Sequence, residues 1–288
     1  MSTGSCEKSD GNGGAPAAKG IPAPNHINDN LVAVKHKIVV MSGKGGVGKS
    51  TIAVNLAFAL AKKGAKVGLL DSDIHGPSVP KLLGVPILPL SVNEKGRIVP
   101  MNVPPGIKVI SIAFLVGDRD APIIWRGPVK MGAIKQFIEE VEWGRLDYLI
   151  VDLPPGTGDE PLSIAQLIPS PDGVVIVTTP QDVALLSVRK SINFAKAVKL
   201  PIIGIVENMA GLTCPSCGKR IDVFGDGGPE KTAKEMRVPY LGSMPLSPDI
   251  ARSGDDGRPF VAVPGTGVAD GFADITDKII KFVKEPKE

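Results

Sequence analysis

From Lys37 onward, short and almost wholly apolar runs alternate with longer stretches whose apolar residues recur at helical spacing. The predicted strands are Lys37–Ser42, Lys66–Asp71, Ile107–Ser111, Asp147–Asp152, Gly173–Thr179, Ile202–Glu207 and Tyr240–Ser243. Ile38-Val39-Val40-Met41 and Val174-Val175-Ile176-Val177 have no polar face, as strands covered on both sides of a parallel sheet require. The predicted helices between and after them are Lys49–Lys63, Val129–Trp143, Val183–Val198, Pro229–Glu235 and Val268–Val283. This alternation defines an α/β fold, a doubly wound and mostly parallel sheet with helices on both faces, and places ligands at the carboxyl ends of the strands. The stretch from Gly84 to Arg126 breaks the rhythm with Pro86, Pro89, Pro100, Pro104 and Pro105, and predicts a short hairpin or insert. In the last helix Phe272, Ile275, Ile279 and Phe282 share a face, with Asp270 and Asp274 early and Lys278, Lys281 and Lys284 late. That charge order suits the helix dipole, and the apolar face is expected to pack on the sheet rather than on a membrane surface.

Composition narrows the function. Residues 1–30 hold almost no large apolar side chains and are expected to form a disordered tail, leaving 31–288 as the folded unit. No secretory leader is expected at the start, and no apolar run approaches the ~18–20 residues that cross a bilayer, so no membrane partner is expected. Aromatic residues are 4% of the chain and net charge is +3, without a long Lys/Arg block. A nucleic-acid partner, which needs stacking rings or a basic stripe, is therefore not expected either. Three cysteines argue against a disulfide framework and for a reducing, cytoplasmic setting.

Gly43-Lys44-Gly45-Gly46-Val47-Gly48-Lys49-Ser50-Thr51 fits the phosphate-binding loop G-x-x-x-x-G-K-[ST], and it lies between a predicted strand and a predicted helix. The glycines permit backbone angles that turn consecutive N–H groups toward one anion, and the helix N-terminus adds its positive end. In such loops Lys49 reaches the β- and γ-phosphates and Ser50 offers its hydroxyl to Mg²⁺, with Thr51 beside the α-phosphate; the expected ligands are ATP and Mg²⁺.

Lys44, one place after the first glycine, resembles the second lysine of the deviant Walker A loop in the superfamily of Mrp, ParA/MinD and nitrogenase iron proteins. The resemblance implies that Lys44 crosses a dimer interface to the partner's nucleotide. It also implies roles for three further segments. In Leu69-Leu70-Asp71-Ser72-Asp73 both carboxylates are expected to face the phosphates, with Asp73 orienting the attacking water. In Leu149-Ile150-Val151-Asp152 the aspartate is the Walker B residue that holds Mg²⁺, and in the following Pro154-Pro155-Gly156 the glycine N–H is expected at the γ-phosphate. In Glu207-Asn208-Met209 the asparagine is expected to read adenine. Lys44, Lys49, Asp73 and Asp152 are thus the candidate catalytic residues.

Cys214-Pro215-Ser216-Cys217 lets two thiolates face one metal, but it is half of a tetrahedral site. On spacing alone a zinc site, an iron–sulfur site, a redox dithiol and a plain turn all remain open, and a symmetric dimer would supply the missing ligands. Taken in order, the loop, Asp71–Ser78, Trp125-Arg126-Gly127-Pro128, Asp152–Asp159 and Glu207-Asn208-Met209-Ala210-Gly211-Leu212 leading to Cys217 resemble the Mrp/ApbC family of ATP-binding iron–sulfur cluster carriers. The resemblance spans roughly 35–285. It implies a homodimer holding a labile [4Fe–4S] cluster between two such pairs, so that Cys214 and Cys217 are cluster ligands. A scaffold or donor protein supplies the cluster and apo iron–sulfur proteins receive it. Nucleotide state is expected to reach the cysteines through Asp152–Asp159. The chain departs from the eukaryotic branch, whose N-terminus has four cysteines, in offering only Cys6. A ParA/MinD-type positioning ATPase and a zinc-stapled targeting ATPase are the competing functions; the first lacks a basic patch or terminal membrane helix here, the second a methionine-rich groove.

Overall fold

The computed structural model describes residues 29–74, 76–116, 127–263 and 267–285. The expected tail with Cys6, and His75 and Arg126 of the quoted motifs, lie outside the described residues. The strands of the main sheet are β1 (Val34–Met41), β2 (Val67–Asp71), β3 (Met101–Val103), β4 (Ile107–Ser111), β5 (Leu146–Asp152), β6 (Gly173–Thr178), β7 (Ile202–Glu207) and β8 (Tyr240–Ser243). Their order is β8-β7-β6-β1-β5-β2-β4-β3, parallel throughout except for β3, which runs antiparallel on β4 at the edge. All seven strands predicted from apolar runs are present. The eighth, β3, is three residues long and lies in the proline-rich stretch, where no apolar run marks it; the expected hairpin of that stretch is Ser91–Val92 paired with Ile98–Val99.

Side chains alternate across the sheet. Ile38 and Val40 face one core with helices α1 (Lys49–Lys62) and, at the far end of the chain, Gly267–Lys284, whose Phe272, Ile275 and Ile279 are buried. Val39 and Met41 face a second core with α2 (Gly127–Glu140), α3 (Asp159–Leu167) and α4 (Asp182–Ala197). The terminal helix therefore packs on the sheet, as its amphipathic face requires. Between α4 and that helix lie α5 (Gly228–Met236) and α6 (Pro248–Asp255), so the terminal helix is α7. Helices α3 and α6 were not foreseen; they are nine and eight residues long. The predicted helix to Trp143 stops at Glu140; Trp143 instead turns inward, fully buried against Gly68 of β2, where a Cβ would lie 3.0 Å from the indole. Trp143→Ala is expected to lower the unfolding free energy by about 3–5 kcal/mol, read as a fall in urea midpoint at unchanged slope.

Candidate functional site

β1 lies between β5 and β6, and the loop that leaves it runs straight into α1. Register aligns the strand ends: Asp152 of β5 stands beside Asp71 of β2, and Asp71 beside Ser111 of β4. The carboxyl edge of the sheet therefore brings three motifs to one point, and a cleft of about 440 Å³ opens there. It is lined by Gly45, Gly46, Gly48, Lys49, Ser50, Thr51, Asp73 and Ser78 among others. Gly48 caps α1 at φ +83°, and a Cβ there would stand 2.1 Å from Nδ2 of Asn208, so the position needs both the left-handed backbone and the missing side chain.

Lys49 is 6% exposed. Its ammonium donates to Asp152 Oδ1 at 2.7 Å and lies 3.7 Å from Asp73 Oδ2, while Ser50 Oγ donates to Asp152 Oδ2 at 2.5 Å. Asp152 is fully buried; burial pushes its carboxyl up, opposed by the Lys49 ammonium and by hydrogen bonds from Lys49 and Ser50. Asp71, equally buried, is pushed to about 7, first by burial and then by the neighbouring Asp152 charge. Asp71 does not line the cleft, which corrects the expectation that both aspartates face the phosphates. Its oxygens instead accept from Ser111 Oγ at 2.9 Å and from the N–H groups of Asp73 and Val79. It thus holds the loop that carries Asp73 into the cleft.

Two other expected residues sit apart from the cleft. The Gly156 N–H donates to Ser42 O at 2.8 Å, so this amide is occupied, and a phosphate contact requires that bond to open. The reason is local: the Pro154–Gly158 turn folds back against the start of the phosphate loop. Lys44 Nζ donates to Gln181 Oε1 at 3.0 Å, outside the cleft lining; Val183 and Leu186 of α4, the helix that follows Gln181, are each 64% exposed.

A second cavity, about 320 Å³, shares Gly48, Thr51, Ser78 and Leu82 with the first and continues it away from Lys49. Its walls are Asn208, Met209, Pro245, Leu246, Ser247 and Ile250. Asn208 is buried, and its Nδ2 donates to Val47 O at 2.9 Å. The Pro245–Ile250 wall carried no sequence signal, because it is brought to Asn208 only by the pairing of β7 with β8.

Leu212–Thr213 pairs antiparallel with Arg220–Ile221, and the turn between them carries both cysteines. Cys214 N–H donates to Lys219 O and Gly218 N–H to Cys214 O, each at 2.9 Å. Both thiols are free, Cys214 half-buried and Cys217 exposed. The backbone N–H groups of Cys217 and then Ser216 hold the Cys214 thiol below its ordinary range, toward the thiolate. Among the described residues no group of three or more His, Cys, Asp or Glu side chains is placed to hold a metal.

A phosphate loop between β1 and α1, backed by Asp152 at the end of β5 and carrying a second lysine, defines a deviant Walker A P-loop NTPase, an enzyme that binds and hydrolyses ATP. The family model described as the NUBPL iron-transfer P-loop NTPase of the ParA group matches residues 33–280, and the chain belongs to that family. It is 51% identical over 262 residues to the iron-sulfur cluster carrier protein of Methanocaldococcus jannaschii, covering 91% of this chain and 90% of the relative. It is 54% identical over 252 residues to the protein of the same name from Saccharolobus solfataricus, covering 87% and 85%. Among solved structures, the nucleotide-binding protein of Archaeoglobus fulgidus in complex with ADP superposes with a TM-score of 0.73 at 41% identity, covering 83% of this chain and 93% of that one. The cell division ATPase MinD of Pyrococcus furiosus, at 24% identity and a TM-score of 0.64, shares the fold.

Asp71 supplies a pH test. Its folded pKa lies above its unfolded value, so the folded state holds this proton more tightly. Stability from this source is full below the unfolded value near 3.8 and is lost as pH rises toward about 7. Across that window the native chain is expected to lose stability relative to Asp71→Asn, read as urea midpoints of the nucleotide-free proteins.

Proposed function

We propose that this chain is an ATP-dependent carrier of iron–sulfur clusters. Two copies hold a labile [4Fe–4S] cluster between their Cys214/Cys217 pairs, receive it from a scaffold or donor protein and pass it to apo-proteins, in a reducing cytoplasm. The observation that carries this reading is the thiol turn. It presents two accessible sulfurs, one biased toward thiolate, with no third ligand placed beside them among the described residues. Two soft ligands are half of what a cluster needs, and a second copy related by a two-fold axis supplies the same two again. The names of the curated relatives support the cargo.

The nucleotide chemistry follows from the cleft. Lys49 turns from Asp152 to the β- and γ-phosphate oxygens as the nucleotide enters. Ser50 and Asp152 offer a hydroxyl and a carboxylate, oxygen donors that fit Mg²⁺, and when bound the ion neutralises phosphate charge. Asp73 orients the water whose oxygen attacks the γ-phosphorus; the bond from that phosphorus to the bridging oxygen breaks, and the water's proton leaves on phosphate. Gly43, Gly45, Gly46, Val47 and Gly48 line the phosphates with backbone N–H groups, Thr51 sits at the α-phosphate, and Gly156 joins once its bond to Ser42 opens. Asn208 has its amide N–H committed to Val47, which leaves Oδ1 to accept from the amino group of adenine. Guanine offers a carbonyl at that position and is repelled.

Lys44 releases Gln181 and reaches the partner's nucleotide, with Val183 and Leu186 buried in the contact between copies. Lys44→Ala is expected to keep ATP binding and to lose hydrolysis by roughly a hundredfold or more, the scale for removing one transition-state cation or donor. A variant with unchanged turnover would place Lys44 outside the reaction. The cargo is tested by iron and acid-labile sulfide after anaerobic reconstitution of the native chain, Cys214→Ala and Cys217→Ala. Iron and sulfide are expected in the native chain and lost in both variants, with ATP still bound. Tight zinc without sulfide would instead favour a zinc-stapled targeting ATPase, and no metal at all a positioning ATPase.

A further inference from the structure

The thiol hairpin and the far wall of the nucleotide cleft are one continuous piece of chain. Met209 lines the cavity beside Asn208, Leu212 opens the hairpin, and only Ala210 and Gly211 separate them. Each residue of this span is tied. Asn208 N–H donates to Thr178 O at 2.7 Å, and its side chain to Val47 O. Ala210 N–H donates to Met244 O and Leu246 N–H to Gly211 O, both at 2.8 Å, so the span is stitched to the Pro245–Leu246 wall of the same cavity.

The backbone here leaves little play. Met209 has φ +61°, a left-handed conformation that a non-glycine residue adopts only when its surroundings impose it. Gly211 follows at φ +74°, and a Cβ on it would lie 2.8 Å from Arg220 Nε and 3.0 Å from Asp222 Oδ1. Arg220 stands opposite Thr213 in the hairpin and donates to Asp222 at 2.7 Å and to Asp226 at 2.5 Å, clamping the base of the hairpin over Gly211. The Pro154–Gly158 turn, through which nucleotide state was expected to reach the cysteines, bonds back to Ser42 through Gly156.

We propose that Met209 and Gly211 are positioning residues that make the Cys214–Cys217 turn an extension of the nucleoside end of the cleft. Filling that end with a base and ribose, rather than filling the phosphate loop, resets how the two thiols are presented. A nucleoside pressing on Met209 and Leu246 acts on both sides of the stitched span, and the clamp at Gly211 passes the movement on without a flexible linker. The inference rests on Cys214 and Cys217 being the working ligands of the proposed carrier, yet its test needs no iron.

The test is the rate at which a chromogenic disulfide reagent modifies the two thiols in the metal-free, reduced full chain carrying Cys6→Ser. Three conditions are compared: no ligand, saturating Mg-ADP and saturating Mg-tripolyphosphate, with binding of each followed by calorimetry. ADP is expected to change the rate by about fivefold or more, the lower end of ordinary coupling between two sites, and tripolyphosphate to leave it unchanged. Met209→Gly, which relieves the left-handed constraint, is expected to show the same rate with and without ADP, at an ADP concentration that calorimetry shows to saturate the variant whatever its affinity. An equal effect of tripolyphosphate and ADP, or no effect of bound ADP in the native chain, overturns the proposal. Because no cluster is involved, a failed reconstitution would count against the carrier reading and leave this result standing.

Discussion

One buried ammonium organises the centre of this molecule. Lys49 sits 6% exposed between Asp152 and Asp73, at the point where the ends of β1, β5 and β2 converge. A charge at that depth is tolerated only when it is paired and hydrogen-bonded, and removing either partner leaves the other stranded. The surrounding structure is arranged around this requirement. Ser50 completes the bonding of Asp152, Ser111 and two backbone amides steady Asp71, and Asp71 in turn holds the loop that brings Asp73 within reach of Lys49. With three carboxyl groups and a single lysine packed together, one carboxyl is driven toward its neutral form; Asp71 and Asp152 are equally buried, but Lys49 and Ser50 bond Asp152 directly, so Asp71 is the one that rises to about 7. On the proposed function this cluster is a phosphate site held ready: incoming phosphate oxygens take over Lys49 while Ser50 and Asp152 remain as oxygen donors.

Much of this is written locally in the chain. The seven strands with long apolar runs and the phosphate loop between strand and helix follow from patterns a few residues wide. What was not legible depends on residues far apart in sequence. β3 exists because β4 offers it an edge, not because its three residues favour a strand. Asp71 and Asp73 look equivalent in sequence, and the register of β2 against β5 and β4 is what separates them, turning one into the sheet and the other into the cleft. The role expected of the Gly156 amide was read from its motif, whereas its hydrogen bond to Ser42 depends on how two loops fold against each other. The apolar wall at Pro245–Ile250 had no signal at all, since only the pairing of β7 with β8 brings it to Asn208.

The proposed carrier sets two chemistries on one chain, hard oxygen donors in the cleft and soft sulfur donors on the hairpin, joined by the Met209–Leu212 backbone. In that proposal the joining matters because a carrier has to bind and release, and ATP would be the source of the difference between those states. On the proposed function a single copy is incomplete in both places: Lys44 is turned aside onto Gln181, and the hairpin offers two sulfurs where a cluster takes four.

That incompleteness is the central claim, and native mass spectrometry of the anaerobically reconstituted protein tests it most directly. The account predicts that iron and sulfide are found on a dimer, one [4Fe–4S] cluster for two chains, and that monomers are bare. A monomer carrying a complete cluster, or a dimer whose mass shows zinc and no sulfide, would contradict it.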